Sequence, residues 1–583
     1  MNLRSQWADA VDHLLPLPEY PRPQLVREQW VNLNGKWDAC VHSPETEPDF
    51  SDSILVPFPL GSTLSGFDHI LQPDEVLTMR TSFKSPLSNP SERLRLHFGA
   101  VDWGCHIWIN DVLVGSHTGG FDPFYMDITD ALIDESSQKL VISITDPTDT
   151  GSQPLGKQTL NPFAIQYTAV AGIWQTVWLE PVPATCIESV FTETDLSTKT
   201  VTIHCLLHNV EPGTQAKVTA HDGEKAVSHG SAVFKNNSVS VCLDFEDLRL
   251  WSPDDPFLYS LSIEVIDVDG IFIDRAESYF GAREISCQPD ESGHMRLLLN
   301  GSPVFHLGLL DQGWWPEGLY TAPTDEALKF DIEATLAMGF NTIRKHVKVE
   351  PARWYWHADR LGVLVWQDMP STVFNMVAFG EQLKDGIKPE EMDWQKISPA
   401  NDPQGFRKEL DAMIHSLRSF PSIVAWVPFN EAWGQHDTDA ILAHVMGGDR
   451  TRLVDGPSGW TDTGTGHLRD HHLYENPEIF PEHEAGRVTV YGEFGGISLY
   501  VDGHTSHEKG WGYSKAVDSD DFLDSYSALM AVIADLVPQG LAGVIYTQTT
   551  DVESEINGLL TYDRKYKVAP ETLQAVHKQM FSQ

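Results

Sequence analysis

Three carboxylates stand where strand-like runs stop. The run Ser422 to Val427 passes into Pro428-Phe429-Asn430-Glu431-Ala432-Trp433-Gly434, Val488-Thr489-Val490-Tyr491 passes into Gly492-Glu493-Phe494-Gly495-Gly496, and Val363 to Gln367 ends at Asp368. Two carboxyl groups facing each other across a sugar can divide the work: one, neutral, protonates the leaving oxygen, while the other, ionised, attacks or supports the anomeric carbon. A single glutamate at a strand end is more often a salt-bridge partner or a helix cap. The chemistry therefore needs both carboxylates and an architecture that delivers them to one rim.

The flanking pattern predicts that architecture. Thr324 can cap a helix in which Leu328, Ile332 and Leu336 recur at helical spacing, Gly339 ends it, and Phe340 to Arg344 reads as the next strand. A helix over Pro351 to Leu361 stops at Gly362 before the strand that ends at Asp368, and another over Gly405 to Arg418 precedes Ser422. Val/Ile-rich strands each followed by a helix imply a parallel sheet covered by helices, so residues 286–583 predict a (β/α)8 TIM barrel with its chemistry at the C-terminal strand ends. Residues 1–183 instead show short apolar runs broken by Gly, Pro, Asn or Asp, and residues 184–285 alternate polar and apolar side chains, as in Thr200 to Leu206 and Tyr259 to Val265. Two β-sandwiches are expected there, the second of immunoglobulin-like size.

Composition sets outer bounds. The 583 residues are 41% apolar and include 18 Trp, enough for several cores, and the formal charge of −43 opposes nucleic acid and anionic lipid surfaces. A neutral small molecule is the easier substrate. Asp9, Asp12, His13 and Glu19 interrupt any apolar run near the start, no run reaches the roughly 18 apolar residues of a membrane span, and the six cysteines lack C-x-x-C spacing. These features predict a cytoplasmic protein with reduced thiols.

More specific likenesses accumulate along the chain. Arg22-Pro23 with Leu33-Asn34-Gly35-Lys36-Trp37, Val56-Pro57-Phe58-Pro59, Gly115 to Phe124, Asn300-Gly301, Asn430-Glu431 and Tyr491-Gly492-Glu493-Phe494-Gly495 together resemble glycoside hydrolase family 2, whose members include β-galactosidases, β-glucuronidases and β-mannosidases. The resemblance implies a jelly-roll sugar-binding sandwich, an immunoglobulin-like sandwich and a catalytic barrel. It implies Glu431 as general acid/base, Glu493 as the nucleophile of a retaining mechanism, and Asn430 on the sugar 2-hydroxyl. A retaining pair predicts carboxyl groups about 5 Å apart, whereas roughly 9 Å would exclude it. Further rim candidates are Asp311, Arg344, His346, Asp368, His471 and Tyr474, with Trp314, Trp315, Trp433 and Trp511 as candidates for a pyranose-stacking platform. The family pattern has Ser-His two and three residues after an arginine, whereas here Lys345-His346 follows Arg344 one place early.

The sugar is chosen by elimination. The N-x-K motif of family β-glucuronidases is absent, Glu555-Ile556-Asn557 standing before Gly558, and Trp426 to Glu431 does not follow the β-mannosidase pattern. A β-galactoside leads. An α-L-arabinopyranoside, with the same hydroxyl arrangement, follows; another β-glycoside, transglycosylation on the same residues and a non-catalytic carbohydrate-binding protein remain alternatives. The mechanism needs no metal or other cofactor. The partner expected is a glycoside, with neither nucleic acid nor membrane, and a homo-oligomer is left open because the family forms dimers and tetramers.

Overall fold

The computed structural model of the chain describes residues 3–475, 477–478, 486–506 and 510–581. Its helices start and stop where side chains satisfy free backbone groups. Thr324 Oγ1 accepts from the Ala327 amide at 3.1 Å at the head of Asp325–Ala337, and Asp402 Oδ1 accepts from the Gly405 amide at 2.9 Å at the head of Pro403–Leu417. Gly362, at φ +78°, closes Ala352–Leu361 in the left-handed conformation that favours glycine.

These helices return the chain to one parallel sheet of eight strands: β1 (His306–Asp311), β2 (Thr342–Lys345), β3 (Leu364–Asp368), β4 (Ile423–Val427), β5 (Leu453–Val454), β6 (Leu468–Leu473), β7 (Val488–Phe494) and β8 (Leu541–Tyr546). The spatial order is β5-β4-β3-β2-β1-β8-β7-β6. A bridge between Asp455 and Leu468 joins the two ends, so the sheet closes as the expected barrel. Every residue of β1, β2, β3, β4 and β8 is buried, as strands covered on both faces require. By contrast β6 reads Leu-Arg-Asp-His-His-Leu, with no Val/Ile run, and it alternates buried with half-buried. Strand β7 continues beyond Tyr491 to Phe494, so Glu493 lies inside the strand rather than after it.

The preceding chain is antiparallel and β-rich. A six-stranded sheet faces a four-stranded one over Trp37, Leu77, Leu96, Phe98, Ile107 and Ile142. Next come sheets of three and four strands, in which Thr200–His208 alternates inward and outward as its sequence predicts. Both regions are joined tightly to the barrel. Tyr167 and Trp174 share a core with Trp314 and Tyr320, the Tyr167 and Trp314 rings 4.2 Å apart. Arg283 is buried and donates to the carbonyls of Pro421 (3.0 Å), Thr451 (2.6 Å) and Ile423 (2.7 Å), around the start of β4.

Removing Arg283 takes a buried donor from the Pro421 and Thr451 carbonyls, while the Ile423 carbonyl keeps Arg452 Nε at 3.1 Å. Arg283→Met is therefore expected to destabilise the chain by about 2–4 kcal/mol, read as a lowered thermal midpoint; an unchanged midpoint would show that Arg283 does not hold this junction.

Candidate active site

Glu431 follows β4 on strained backbone. Glu431 and Ala432 have φ of +49° and +63°, in the left-handed region that non-glycine residues adopt only when their surroundings fix it. Those surroundings are the segment after β5: the Glu431 amide donates to the Ser458 carbonyl at 2.8 Å, and the Ser458 amide to the Phe429 carbonyl at 2.9 Å. Asn430 is held at its oxygen by Arg344 Nη2 at 2.8 Å, which leaves Nδ2 buried and without a partner.

Glu493 is aimed by a distortion of β7, whose pairing with β8 shifts register between Tyr491 and Phe494. The residue before it must be glycine, since a Cβ at Gly492 would lie 1.9 Å from Asp470 Oδ2. Strand β6 supplies the partners. Asp470 and His472 point inward with Tyr474 beyond them, while His471 points the other way and meets the Tyr491 ring at 6.5 Å. Tyr474 Oη donates to Glu493 Oε2 at 2.6 Å and lies 3.3 Å from Glu431 Oε1. His472 Nδ1 lies 2.7 Å from Glu431 Oε1 and 3.7 Å from Glu493 Oε1. His472 Nε2 lies 2.8 Å from Ser458 Oγ, whose proton goes to Asp470 Oδ2 at 2.6 Å. Nδ1 thus faces a carboxylate, while Nε2 faces the Ser458 hydroxyl oxygen and, at 3.4 Å, Arg344 Nη1.

The charges follow from this geometry. Burial alone would raise the Glu493 carboxyl, but the cations His472, Arg344 and Lys157 bring it down to about 2, so it is ionised. Burial alone would lower His472, but Glu493, Glu431 and Asp470 outweigh it and hold the imidazole above its ordinary value. Burial and both glutamates push the Tyr474 phenol well up, which keeps it a donor. Burial together with Lys157 lowers His346 well below its ordinary value, so that ring is neutral. Arg344, fully buried, forks onto Asp368 with two contacts of 3.0 Å, reaches the Gly492 carbonyl at 3.1 Å and lies 3.5 Å from Glu493 Oε1.

Of the residues expected at the rim, Glu431, Glu493, Asn430, Arg344, His346 and Tyr474 come together. Asp368 is buried behind them, holding Arg344 and, at 2.8 Å, His346 Nδ1. Asp311 pairs with Lys345 at 2.6 Å in a separate buried ion network and does not join this cluster. Trp314 and Trp315 belong to the interdomain core. Trp433 is buried and stacks on Phe374 at 4.0 Å. Trp511 meets Tyr513 edge-on at 4.7 Å, and Tyr513 stacks on Tyr474, which makes this aromatic run the best-placed wall for a sugar. His472 takes the place expected of His471. Residues of one strand that share an odd or even position share a face, so Asp470, His472 and Tyr474 could have been grouped from sequence. Lys157, 6% exposed and contributed by the β-rich N-terminal region, had no such signal.

Glu431, His472 and Glu493 offer donor atoms within 4.8 Å of one another, well short of the roughly 9 Å that would exclude a retaining pair, and the group also suits a divalent ion. An ion there would occupy the carboxylates, so added Zn2+ is expected to inhibit competitively and a chelator to leave turnover unchanged, as initial rates will report. A group whose folded pKa is raised contributes stability in full below its unfolded value, about 6.5 for histidine, and loses it as pH rises through the folded value. The thermal-midpoint gap between the parent and His472→Asn should accordingly be widest below pH 6.5 and narrow toward alkaline pH; a gap that widens would contradict the imidazolium.

Two family profiles match: "Glycosyl hydrolases family 2" over residues 185–283 and "Glycosyl hydrolases family 2, TIM barrel domain" over residues 319–474. The β-galactosidase large subunit of Leuconostoc lactis is 23% identical over 474 residues, covering 77% of this chain and 68% of that one. A β-galactosidase of Thermoanaerobacter pseudethanolicus is 23% identical over 479 residues, covering 76% of this chain but 57% of its own. The fold of a Ruminococcus gnavus β-glucuronidase, solved with D-glucuronic acid, superposes with a TM-score of 0.73 at 18% identity, covering 96% of this chain and 99% of that one. The two profiles identify glycoside hydrolase family 2 domains in the chain, the solved structure shares its fold, and with the curated relatives they make it a glycoside hydrolase.

Proposed function

We propose that the chain is a retaining, exo-acting β-glycosidase that removes a terminal non-reducing β-galactosyl unit by double displacement, with Glu493 as nucleophile and Glu431 as acid/base. The observation that carries this reading is the single Tyr474 hydroxyl within 2.6 Å of one carboxylate and 3.3 Å of the other. In the first step Glu493 attacks the anomeric carbon while Glu431 gives its proton to the departing oxygen; in the second, Glu431 takes a proton from water, which displaces Glu493. Tyr474 holds the attacking carboxylate, and Asn430 Nδ2 is placed to donate to the 2-hydroxyl, a bond that strengthens as the ring gains oxocarbenium character. The sugar-binding, immunoglobulin-like and catalytic domains are assigned to residues 1–183, 184–285 and 286–583.

The galactoside assignment is supported by two relatives that are β-galactosidases and by the buried Glu555. A carboxylate in the buried shell would repel a uronate by on the order of a few kcal/mol. Among p-nitrophenyl β-galactoside, α-L-arabinopyranoside, β-glucuronide, β-mannoside, β-glucoside and β-fucoside, the galactoside is expected to be cleaved fastest and the arabinopyranoside next. Glu493→Gln should lower kcat at least about a thousandfold with the fold intact by circular dichroism, and Glu431→Ala should lose most activity, less so on this good leaving group. A glucuronide cleaved fastest overturns the sugar, and a substantially active Glu493→Gln overturns the nucleophile.

A further inference from the structure

A cavity of about 890 Å³, partly open to solvent, lies where the start of the chain, the first sandwich and the barrel meet. Its walls are drawn mainly from residues 17–24, 174–178, 321–328 and 349–353, and none of the groups gathered around Glu493 lines it. Most of the wall is apolar, with Phe121, Trp174, Leu328 and Val349 among its members. Three of the lining residues nevertheless carry a buried polar atom without a partner: Arg22 Nε, Gln24 Oε1 and Glu350 Oε2. Buried polar atoms ordinarily find partners within the fold, so three on one cavity point to a ligand that supplies them.

Each of the three is fixed by its other atoms. Glu350 is 4% exposed, and its Oε1 accepts from Lys345 and Lys348, both at 2.9 Å, so Oε2 is the oxygen left for the cavity. Arg22 Nη2 donates to Glu180 Oε2 at 2.8 Å, and the buried Glu180 is held in turn by Tyr20 Oη at 2.6 Å and Trp178 Nε1 at 2.8 Å. The backbone of Gln24 is anchored through its carbonyl, which accepts from Ser278 Oγ at 2.7 Å. On the opposite wall Arg353 forks onto Asp325 at 2.5 and 2.7 Å, so those two charges answer each other. The helix Ala352–Leu361 begins on this wall too, with Pro351 before it and no side chain capping its first amides.

We propose that this cavity is a second ligand site, apart from the catalytic carboxylates, for a neutral ring alcohol: an apolar ring with hydroxyl groups at its edge. The ring lies against Phe121, Trp174, Leu328 and Val349, which removes apolar surface from water. Its hydroxyls donate to Glu350 Oε2 and Gln24 Oε1 and accept from Arg22 Nε, the two roles that one hydroxyl combines. A charged ligand is disfavoured, because Arg353 with Asp325, Arg22 with Glu180, and Glu350 with two lysines are already paired. A free sugar is disfavoured as well, since hydroxyls on every edge would meet a mostly apolar wall without partners. The walls belong to separate parts of the chain, so an occupant ties the sandwich to the barrel and stabilises their docked arrangement.

The test is calorimetric titration of the full chain with resorcinol, with benzene as the ring without hydroxyls and D-galactose as the saccharide. The parent is compared with Gln24→Leu, which removes one acceptor at a half-buried position, and with Ala322→Phe, which fills the cavity from a buried position on its wall. Trp511→Ala, in the aromatic run beside Tyr474, reports on the active site instead. Resorcinol should bind the parent at one site, raise its thermal midpoint, and bind each cavity variant at least about tenfold more weakly, with Trp511→Ala unchanged. Absence of saturable binding, equal affinity for benzene, parental affinity in Gln24→Leu, or a loss confined to Trp511→Ala overturns the proposal. Galactose binding that Gln24→Leu weakens overturns the ligand class and makes the cavity a saccharide site. Should Ala322→Phe fail to fold, Gln24→Leu and the benzene comparison decide. Every readout is binding rather than turnover, so the result stands apart from the roles given to Glu431 and Glu493.

Discussion

Like-charge repulsion is the constraint on which the active end depends. Two carboxylates with oxygens within 4.8 Å of each other would repel by at least about 3 kcal/mol at an effective dielectric near 20, and burial adds a desolvation cost for each charge. Left alone, such a pair would share a proton or move apart. His472 offsets the repulsion by presenting one positive edge to both, Arg344 by standing beside Glu493, and Tyr474 by spanning them with a neutral donor. The inequality in this support gives the pair its chemistry: Glu493 collects the cations and stays ionised, which is what a nucleophile requires.

That support has its own foundations. Arg344 is useful only where it is held, and Asp368 holds it by both oxygens while also fixing Nδ1 of His346. The same guanidinium fixes Asn430 and takes the Gly492 carbonyl, so one buried cation orients groups from β3, β4 and β7. Beside this layer lies another, Asp311-Lys345-Glu350-Lys348, in which Glu350 Oε1 receives both lysines at 2.9 Å. Burial there brings Lys348 down to about 8. The barrel interior is thus filled near its rim by paired charges rather than by apolar side chains, and replacing one partner alone would leave the other buried and unpaired.

The barrel was legible because its strands are buried on both faces: a continuous Val/Ile run followed by a capped helix admits few other readings, and β3 and β4 begin and end within a residue of the pattern. The glutamates were legible because they end such runs. Strands β5 and β6 were not, since β5 has two residues and β6 is mostly polar, its inward positions taken by the groups that serve the site. The same polarity made His471 and His472 look interchangeable, though a strand's alternation separates them. Asp368 and Asp311 illustrate a different limit: a carboxylate at a strand end announces its position but not its partner, and Arg344 and Lys345, adjacent on β2, draw the two into separate networks.

Lys157 lies beyond any local reading. Nothing in Pro154-Leu155-Gly156-Lys157-Gln158 suggests a site, because its meaning comes from contacts with Val347, Tyr320 and Ser371 made only after the sandwich has docked on the barrel. That docking is an apolar event, driven by Tyr167, Trp174, Trp314 and Tyr320 packing into one core. An interface of this kind fixes orientation more tightly than a flexible linker, so the sandwich keeps one position against the barrel. In such an arrangement the shared apolar core, rather than a linker, decides which loop of the sandwich stands beside Val347 and Ser371 at the barrel's strand ends.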